Sequence, residues 1–233
     1  MAIPCPTLRN GSRLVVGSAA CDADLLSATA EEAMACCDLV EIRLDLLEDA
    51  TQRPWQHLSS LPLLFTARRA SEGGAGNLNT KQRVHLLGAV LEDASLIDIE
   101  LASIEEMAPL LEKLQLHKLP WIASCHDFEK LHETREMELA VDKAREAGAA
   151  ALKIAAYLEG SEDLARLVDF QQRDHGLPVS SMGMGELAAQ SRLQCVAAGS
   201  TLNYGFLGTM PTAPGQISAM QLKQGIADLA ADG

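Results

Sequence analysis

Aromatic side chains are scarce in this sequence: two Trp, two Tyr and four Phe make up 3% of its 233 residues. Hydrophobic residues still reach 48%, so a sizeable core is expected, built from Leu, Ala, Val, Ile and Met. Basic charge is scarce too, with 19 Lys and Arg against 32 Asp and Glu, a net charge of −13. Such a chain repels phosphate backbones and anionic lipid, which argues against nucleic acid and membrane surfaces as partners. A small anionic substrate is compatible with it only through a local cluster of cations working against the overall field. Paired cysteine motifs are missing: Cys5, Cys21, Cys36, Cys37, Cys125 and Cys195 make no C-x-x-C pair and no zinc-like spacing with histidine. In a chain of this length they read as reduced thiols in a reducing compartment. No apolar run is long enough for a signal peptide in "MAIPCPTLRNGSR" or for a membrane span later, so a cytoplasmic protein is expected. No G-x-G-x-x-G follows the first strand-like segment and no P-loop occurs, which counts against a doubly wound open sheet.

What the sequence does have is a rhythm. Short apolar runs recur at 13–19, 39–46, 62–68, 95–101, 120–126, 150–157, 177–183 and 200–206. Segments of helical periodicity separate them, such as "DADLLSATAEEAMACC", "TKQRVHLLGAVLEDA" and "ETREMELAVDKAREAG". In the last, Met137, Ala140, Val141 and Ala144 share one face and charges take the other. The chain closes with the helix-like "GQISAMQLKQGIADLAADG". Strand then helix, eight times over, predicts a parallel (β/α)₈ barrel forming a single domain over 1–233. The Gly- and Asn-rich stretch 72–79 falls where a strand-to-helix loop is due and is expected on the active face.

In such a barrel, chemistry sits at the carboxyl ends of the strands. Lys153 stands in the middle of "AALKIAAY". Strand alternation puts Ala151, Lys153 and Ala155 on one side, suited to the barrel interior, and Leu152, Ile154 and Ala156 on the other, suited to the helix layer. Burial disfavours an ammonium, and a neutral lysine amine is a nucleophile that forms Schiff bases with carbonyl compounds. The plainer reading is a lysine that reaches the barrel mouth or pairs with a carboxylate such as Glu41. His126 ends the neighbouring strand in "IASCHDF", where a histidine can move protons near neutral pH; it also reads as a loop histidine beside Asp127, a capping residue. Glu41, Arg43 and Asp45 alternate in "EIRLD" and so share one strand face, as a structural ion network or as substrate ligands. Arg68, Arg192 and the turn "TAPGQIS" at 212–218 offer a guanidinium fork and turn donors for a carboxylate; singly, each reads equally as surface.

Taken in order, "EIRLD", "FTARRASEGG", "SCHDF", "LKIA", "SMGMGELAAQSR" and "APGQIS" resemble type I 3-dehydroquinate dehydratase, and the resemblance covers most of the chain. It implies a (β/α)₈ barrel, a homodimer, and conversion of 3-dehydroquinate to 3-dehydroshikimate and water with no metal or cofactor. It further implies that Lys153 is the Schiff-base lysine, His126 the general acid/base and Glu72 the partner of that histidine. Glu41, Arg43, Arg68, Arg192, Thr212 and Gln216 become substrate ligands, Arg192 taking the substrate carboxylate with help from Gln216. Thr212 stands where the family commonly has Ser, and Cys125 where many relatives carry an aromatic. The register of Gly17 and Ser18 is open, and the segment before the third strand is short. A class I aldolase-type barrel also uses a strand lysine, but the glycine-containing region "NYGFLGTMPTAPGQ" has no lysine for a phosphate. A catalytically silent metabolite-binding barrel is the alternative from another class; it predicts binding without a covalent adduct.

Overall fold

The computed structural model describes residues 3–19 and 30–231. All eight expected strands form: β1 (Leu14–Ala19), β2 (Leu39–Arg43), β3 (Leu63–Thr66), β4 (Leu96–Glu100), β5 (Trp121–Asp127), β6 (Ala151–Tyr157), β7 (Val179–Met184) and β8 (Leu202–Phe206). They pair in parallel in the order β7-β6-β5-β4-β3-β2-β1-β8. At the seam between β7 and β8, Thr201 N donates to Val179 O (3.2 Å) and Leu202 N donates to Ser180 Oγ (2.7 Å), so the sheet is a nearly closed barrel. The helices are α1 (Ala30–Cys36), α2 (Thr80–Ala89), α3 (Ala108–His117), α4 (Thr134–Glu146), α5 (Ser161–Gln171), α6 (Ala188–Ala197) and α7 (Ala219–Ala231). None of these helices is long and apolar enough to cross a membrane. Part of the first expected helix, 22–29, and Cys21 lie outside the described residues.

Two expectations are corrected. A helix does not follow every strand: between β2 and β3 the described chain makes only 3₁₀ turns at Leu44–Leu46, Ala50–Gln52 and Gln56–Leu58. Pro54 explains the interruption, because it disfavours helical backbone in the residue before it, and Arg53 indeed sits at φ 47°. Trp55 and Leu58 are buried and cover that side of the barrel in place of a helix. Asp45 also leaves the strand, since β2 ends at Arg43 and Asp45 belongs to the first of these turns.

Strand alternation sorts the side chains into two cores. Outward residues such as Val40, Phe65, Ile97, Leu152 and Val179 pack into one large cluster with the helices. Helix α4 shows why its segment folds as it does: Met137, Val141 and Ala144 are buried on one stripe, and Glu136 begins and Lys143 and Arg145 end it, matching the helix dipole. The inward residues Val16, Leu39, Leu64, Leu96, Ile122, Ala151 and Leu202 form a second, apolar cluster inside the barrel. The chain's N-terminal segment plugs it from below: Cys5, Leu8 and Leu14 pack against this floor, and Gly11 N donates to Gly199 O at 2.8 Å. The next inward residues towards the carboxyl ends are Ser18, Glu41, Thr66, Asp98, Ser124 and Lys153, all buried. The barrel interior is thus apolar at one end and charged at the end where sites of this architecture lie.

Candidate active site

Lys153 is held between small neighbours, with Ser124 of β5 and Ser180 of β7 beside it in register. Its side chain points into the barrel and is only 5% exposed. The partner expected from sequence, Glu41, lies 3.9 Å from Nζ; the direct one is Asp98, at 2.8 Å. Asp98 also accepts from Arg68 Nη1 (2.8 Å) and Ser124 Oγ (2.6 Å). Burial alone would raise the Asp98 carboxyl, but Arg68 and Lys153 outweigh it and hold the group well below its usual range. The inward polar alternation Asp98, Glu100 on β4 repeats the Glu41, Arg43 pattern on β2. The same period-two reading applied to "LIDIE" turns Asp98 inward, although no motif marks it.

His126 follows Ser124 on the inner face of β5, one step nearer the mouth. Glu72, at the end of a 3₁₀ turn after β3, reaches across to it: Glu72 Oε2 accepts from His126 N and lies 3.0 Å from Nδ1. The glycines after Glu72 make that reach possible. Gly73 is at φ +82°, and a Cβ on Gly74 would lie 2.0 Å from Arg68 O, so the loop doubles back against its own strand end. Burial pushes Glu72 up to about 7, with Arg68 opposing; burial also holds His126 well below its ordinary value, helped by Arg68 and Lys153. The two shifts agree: this dry pair favours neutral forms. With two protons shared, Nε2 carries a hydrogen and can act as an acid. With one, Nδ1–H faces the carboxylate and Nε2 is a free base. Asp127 caps no helix; its Oδ1 takes the Glu129 and Lys130 amides of a turn ahead of α4.

One cleft gathers Glu41, Arg43, Arg68, Glu72, His126, Lys153, Arg192, Thr212 and Gln216, that is, every site residue expected from sequence. Their engagements differ. Arg43 forks onto Asp45 (2.9 and 2.7 Å), and Asp45 also takes the Arg68 and Ala75 amides. Arg68 is buried and bonds Asp98, Glu100 and Ser124, so its guanidinium is engaged in the ion network of the barrel wall. Arg192 is buried as well, and donates to the carbonyls of Tyr204, Gly183 and Ala188. No carboxylate among the described residues pairs with it, and burial lowers it to about 10. Arg192 is thus a buried, carboxylate-free cation at the cleft wall.

Ser18 settles the first-strand register: it points inward and donates to Glu41 Oε2 at 2.6 Å. Gly17 faces out, where a Cβ would meet Cys37 Sγ at 2.5 Å. Thr212 Oγ1 lies 2.8 Å from Gln216 Oε1 and 3.3 Å from Ser18 Oγ, so the threonine keeps its hydroxyl in the cleft. Cys125 faces away from the cleft into a neighbouring cavity of about 210 Å³, shared with Met137 and Ile154 and bounded by His126 and Glu72. Burial pushes its thiol up to about 12, which makes it a packing group and no nucleophile.

A family model described as type I 3-dehydroquinase matches residues 16–231. The 3-dehydroquinate dehydratase of Methanococcus maripaludis is 32% identical over 198 residues, 84% of this chain and 90% of that one. That of Methanothrix thermoacetophila is 33% identical over 219 residues, 91% of this chain and 92% of the other. In fold, the chain is similar to 3-dehydroquinate dehydratase from Geobacillus kaustophilus, with a TM-score of 0.85 at 24% identity over 94% of this chain and 91% of that one. It is equally similar to the type I enzyme of Clostridium difficile with covalent modified comenic acid, with a TM-score of 0.84 at 24% identity over 97% and 95%. The barrel, the shared cleft and the family match agree, and the chain belongs to the type I 3-dehydroquinase family.

Proposed function

We propose that this chain dehydrates 3-dehydroquinate to 3-dehydroshikimate through an imine on Lys153, with His126 moving the protons. The observation that carries the reading is the meeting of Lys153, the His126–Glu72 pair and the carboxylate-free Arg192 in one cleft. Arg192 takes the substrate carboxylate, while Glu41, Arg43, Thr212 and Gln216 hold its hydroxyls. Lys153 passes one proton to the free-base Nε2 of His126 and attacks the ketone as the neutral amine. His126 helps the carbinolamine lose water, leaving an iminium whose positive nitrogen draws electrons from the adjacent carbon. Nε2 of His126, in its free-base form, takes a proton from that carbon. The enamine electrons then expel the β-hydroxyl, which leaves as water with a proton from His126. Water hydrolyses the product imine and returns the lysine amine.

Glu72 supports this cycle because its proton count fixes which role Nε2 can play. Fixed anchors matter because elimination needs the C–H bond aligned with the π system. Family membership weighs against the aldolase-type alternative. The homodimer implied by the resemblance and a cytoplasmic setting, which the five free thiols of the described residues suit, belong to the same reading. The test is to incubate the protein with 3-dehydroquinate and borohydride and map the product by mass spectrometry. A mass gain on the peptide carrying Lys153, absent in Lys153→Ala, is the expected result. Turnover without any such adduct would rule out the imine, and binding with neither would leave the silent barrel.

A further inference from the structure

The floor beneath Lys153 is an aromatic face. Tyr204 of β8 points inward, is 4% exposed, and its ring centroid lies 4.5 Å from Lys153 Nζ. Nζ is therefore held from two sides, by the Asp98 carboxylate at 2.8 Å and by the ring. In a chain with eight aromatic residues, one of two tyrosines stands at this spot. Among the described residues no protein group bonds its hydroxyl, so the phenol is not placed there for a hydrogen bond to the protein.

We propose that the Tyr204 ring is a positioning residue that stabilises positive charge on the Lys153 nitrogen during imine formation. The inference rests on the imine reading above. An ammonium has three N–H donors, whereas an iminium has one. The carbinolamine and the iminium nitrogen each keep one N–H, which Asp98 can hold, while the ammonium's other two donors are already gone. A π face needs no proton, so it attracts the cation before and after those donors are lost. Charge that develops as water leaves the carbinolamine is thus met by a group already in place, on a side chain that is only 5% exposed.

The test replaces the ring's electrons without changing its shape. Tyr204→Phe is expected to turn over within about twofold of the parent, because the π face survives. A series with mono-, di- and trifluorinated phenylalanine at position 204 should then lose kcat stepwise. The whole span should be roughly ten- to thirtyfold, the scale of a desolvated cation–π contact, with the borohydride-trapped fraction at saturating substrate falling in parallel. Tyr204→Leu should lie at or below the bottom of that series, with melting temperature recorded for each protein. A flat fluorination series, in proteins that trap substrate as the parent does, would overturn the inference and leave Tyr204 as floor packing. A parent protein that turns over yet traps nothing would instead overturn the imine reading itself, so the two failures are distinguishable.

Discussion

Asp98→Asn is the sharpest single perturbation, because it keeps the shape of the side chain and removes one buried charge. Three groups lose their anionic acceptor: Arg68 at 2.8 Å, Lys153 at 2.8 Å and Ser124 at 2.6 Å. Arg68 keeps Glu100 at 3.0 Å, but the one carboxylate left to Lys153 is Glu41 at 3.9 Å. Removing one partner of a buried ion pair costs about 3–5 kcal/mol, and the surviving Arg68–Glu100 pair puts this case near about 3 kcal/mol. The pH dependence follows from the direction of the Asp98 shift. Its folded value lies below the unfolded one of about 3.9, so its contribution is fully present above that pH and is lost as the pH falls towards the folded value. Guanidinium unfolding should therefore show a constant gap between parent and variant from about pH 5 to 8, narrowing by about 1.4 kcal/mol per pH unit below about 4. A variant within about 1 kcal/mol of the parent at pH 7, or a gap unchanged at pH 3, would refute the assignment of Asp98 as the charged keystone.

Three other substitutions test the cleft. Glu72 sits near 7 because of burial, so kcat/KM of the parent should fall on the acid side of an apparent pKa in that region as the pair takes up its second proton. Glu72→Gln should remove that limb, and a pH profile with the limb intact would contradict the shared-proton pair. Gly74→Ala puts a Cβ 2.0 Å from Arg68 O, a backbone atom that cannot turn aside. It should displace Glu72 and lower both kcat and the melting temperature, so an unchanged enzyme would show that the loop has more freedom than its geometry implies. Arg192→Lys keeps the charge but cannot reproduce donation to three carbonyls while still facing a ligand. KM should rise roughly a hundredfold with a smaller change in kcat, from the loss of about 3 kcal/mol of charge-assisted hydrogen bonding. A KM left as in the parent would remove Arg192 from carboxylate binding.

The barrel was legible because period-two alternation is a local property. Each strand announced its two faces, and Lys153 between Ala151 and Ala155 announced an inward lysine with room around it. The site residues of β2, β5 and β6 were legible for the same reason. What was not legible depends on contacts between distant segments. Asp98 and Tyr204 look like ordinary polar and aromatic strand residues until the barrel closes and puts them 2.8 Å and 4.5 Å from one nitrogen. The missing helix between β2 and β3 had a visible cause in Pro54, but nothing local says that Trp55 and Leu58 can take over its packing. Arg68 is the instructive case. Its motif marks it as a ligand, and its place just past the end of β3 also puts Nη1 against Asp98, Glu100 and Ser124, so that nitrogen holds the wall while the side chain lines the cleft.

That wall explains how a lysine can be buried at the centre of a fold at all. From the cleft outward the charges alternate: Lys153, Asp98, Arg68, Glu100, Arg83 and Glu106, each in ion-pair contact with the next. Glu106 is 40% exposed, whereas Arg83 is 2% exposed and also donates to Ala67 O at 2.7 Å. A lone buried ammonium would face the full desolvation cost. Along this chain each inner carboxylate faces two cations, each arginine faces two carboxylates, and only the last member meets water. The arrangement leaves the ends unequal. The outer end can lose its charge to solvent screening at little cost. At the inner end Lys153 has Asp98 as its one close carboxylate, so losing that carboxylate leaves Nζ without a close counter-charge. Charge on the Lys153 nitrogen is therefore governed by its immediate surroundings, Asp98 and the Tyr204 ring, and substitutions at the outer end should change stability more than they change the chemistry of the cleft. Glu106→Gln and Asp98→Asn, compared by kcat and by unfolding free energy, would show that split directly. An equal effect of both on kcat would mean that the chain transmits charge along its whole length.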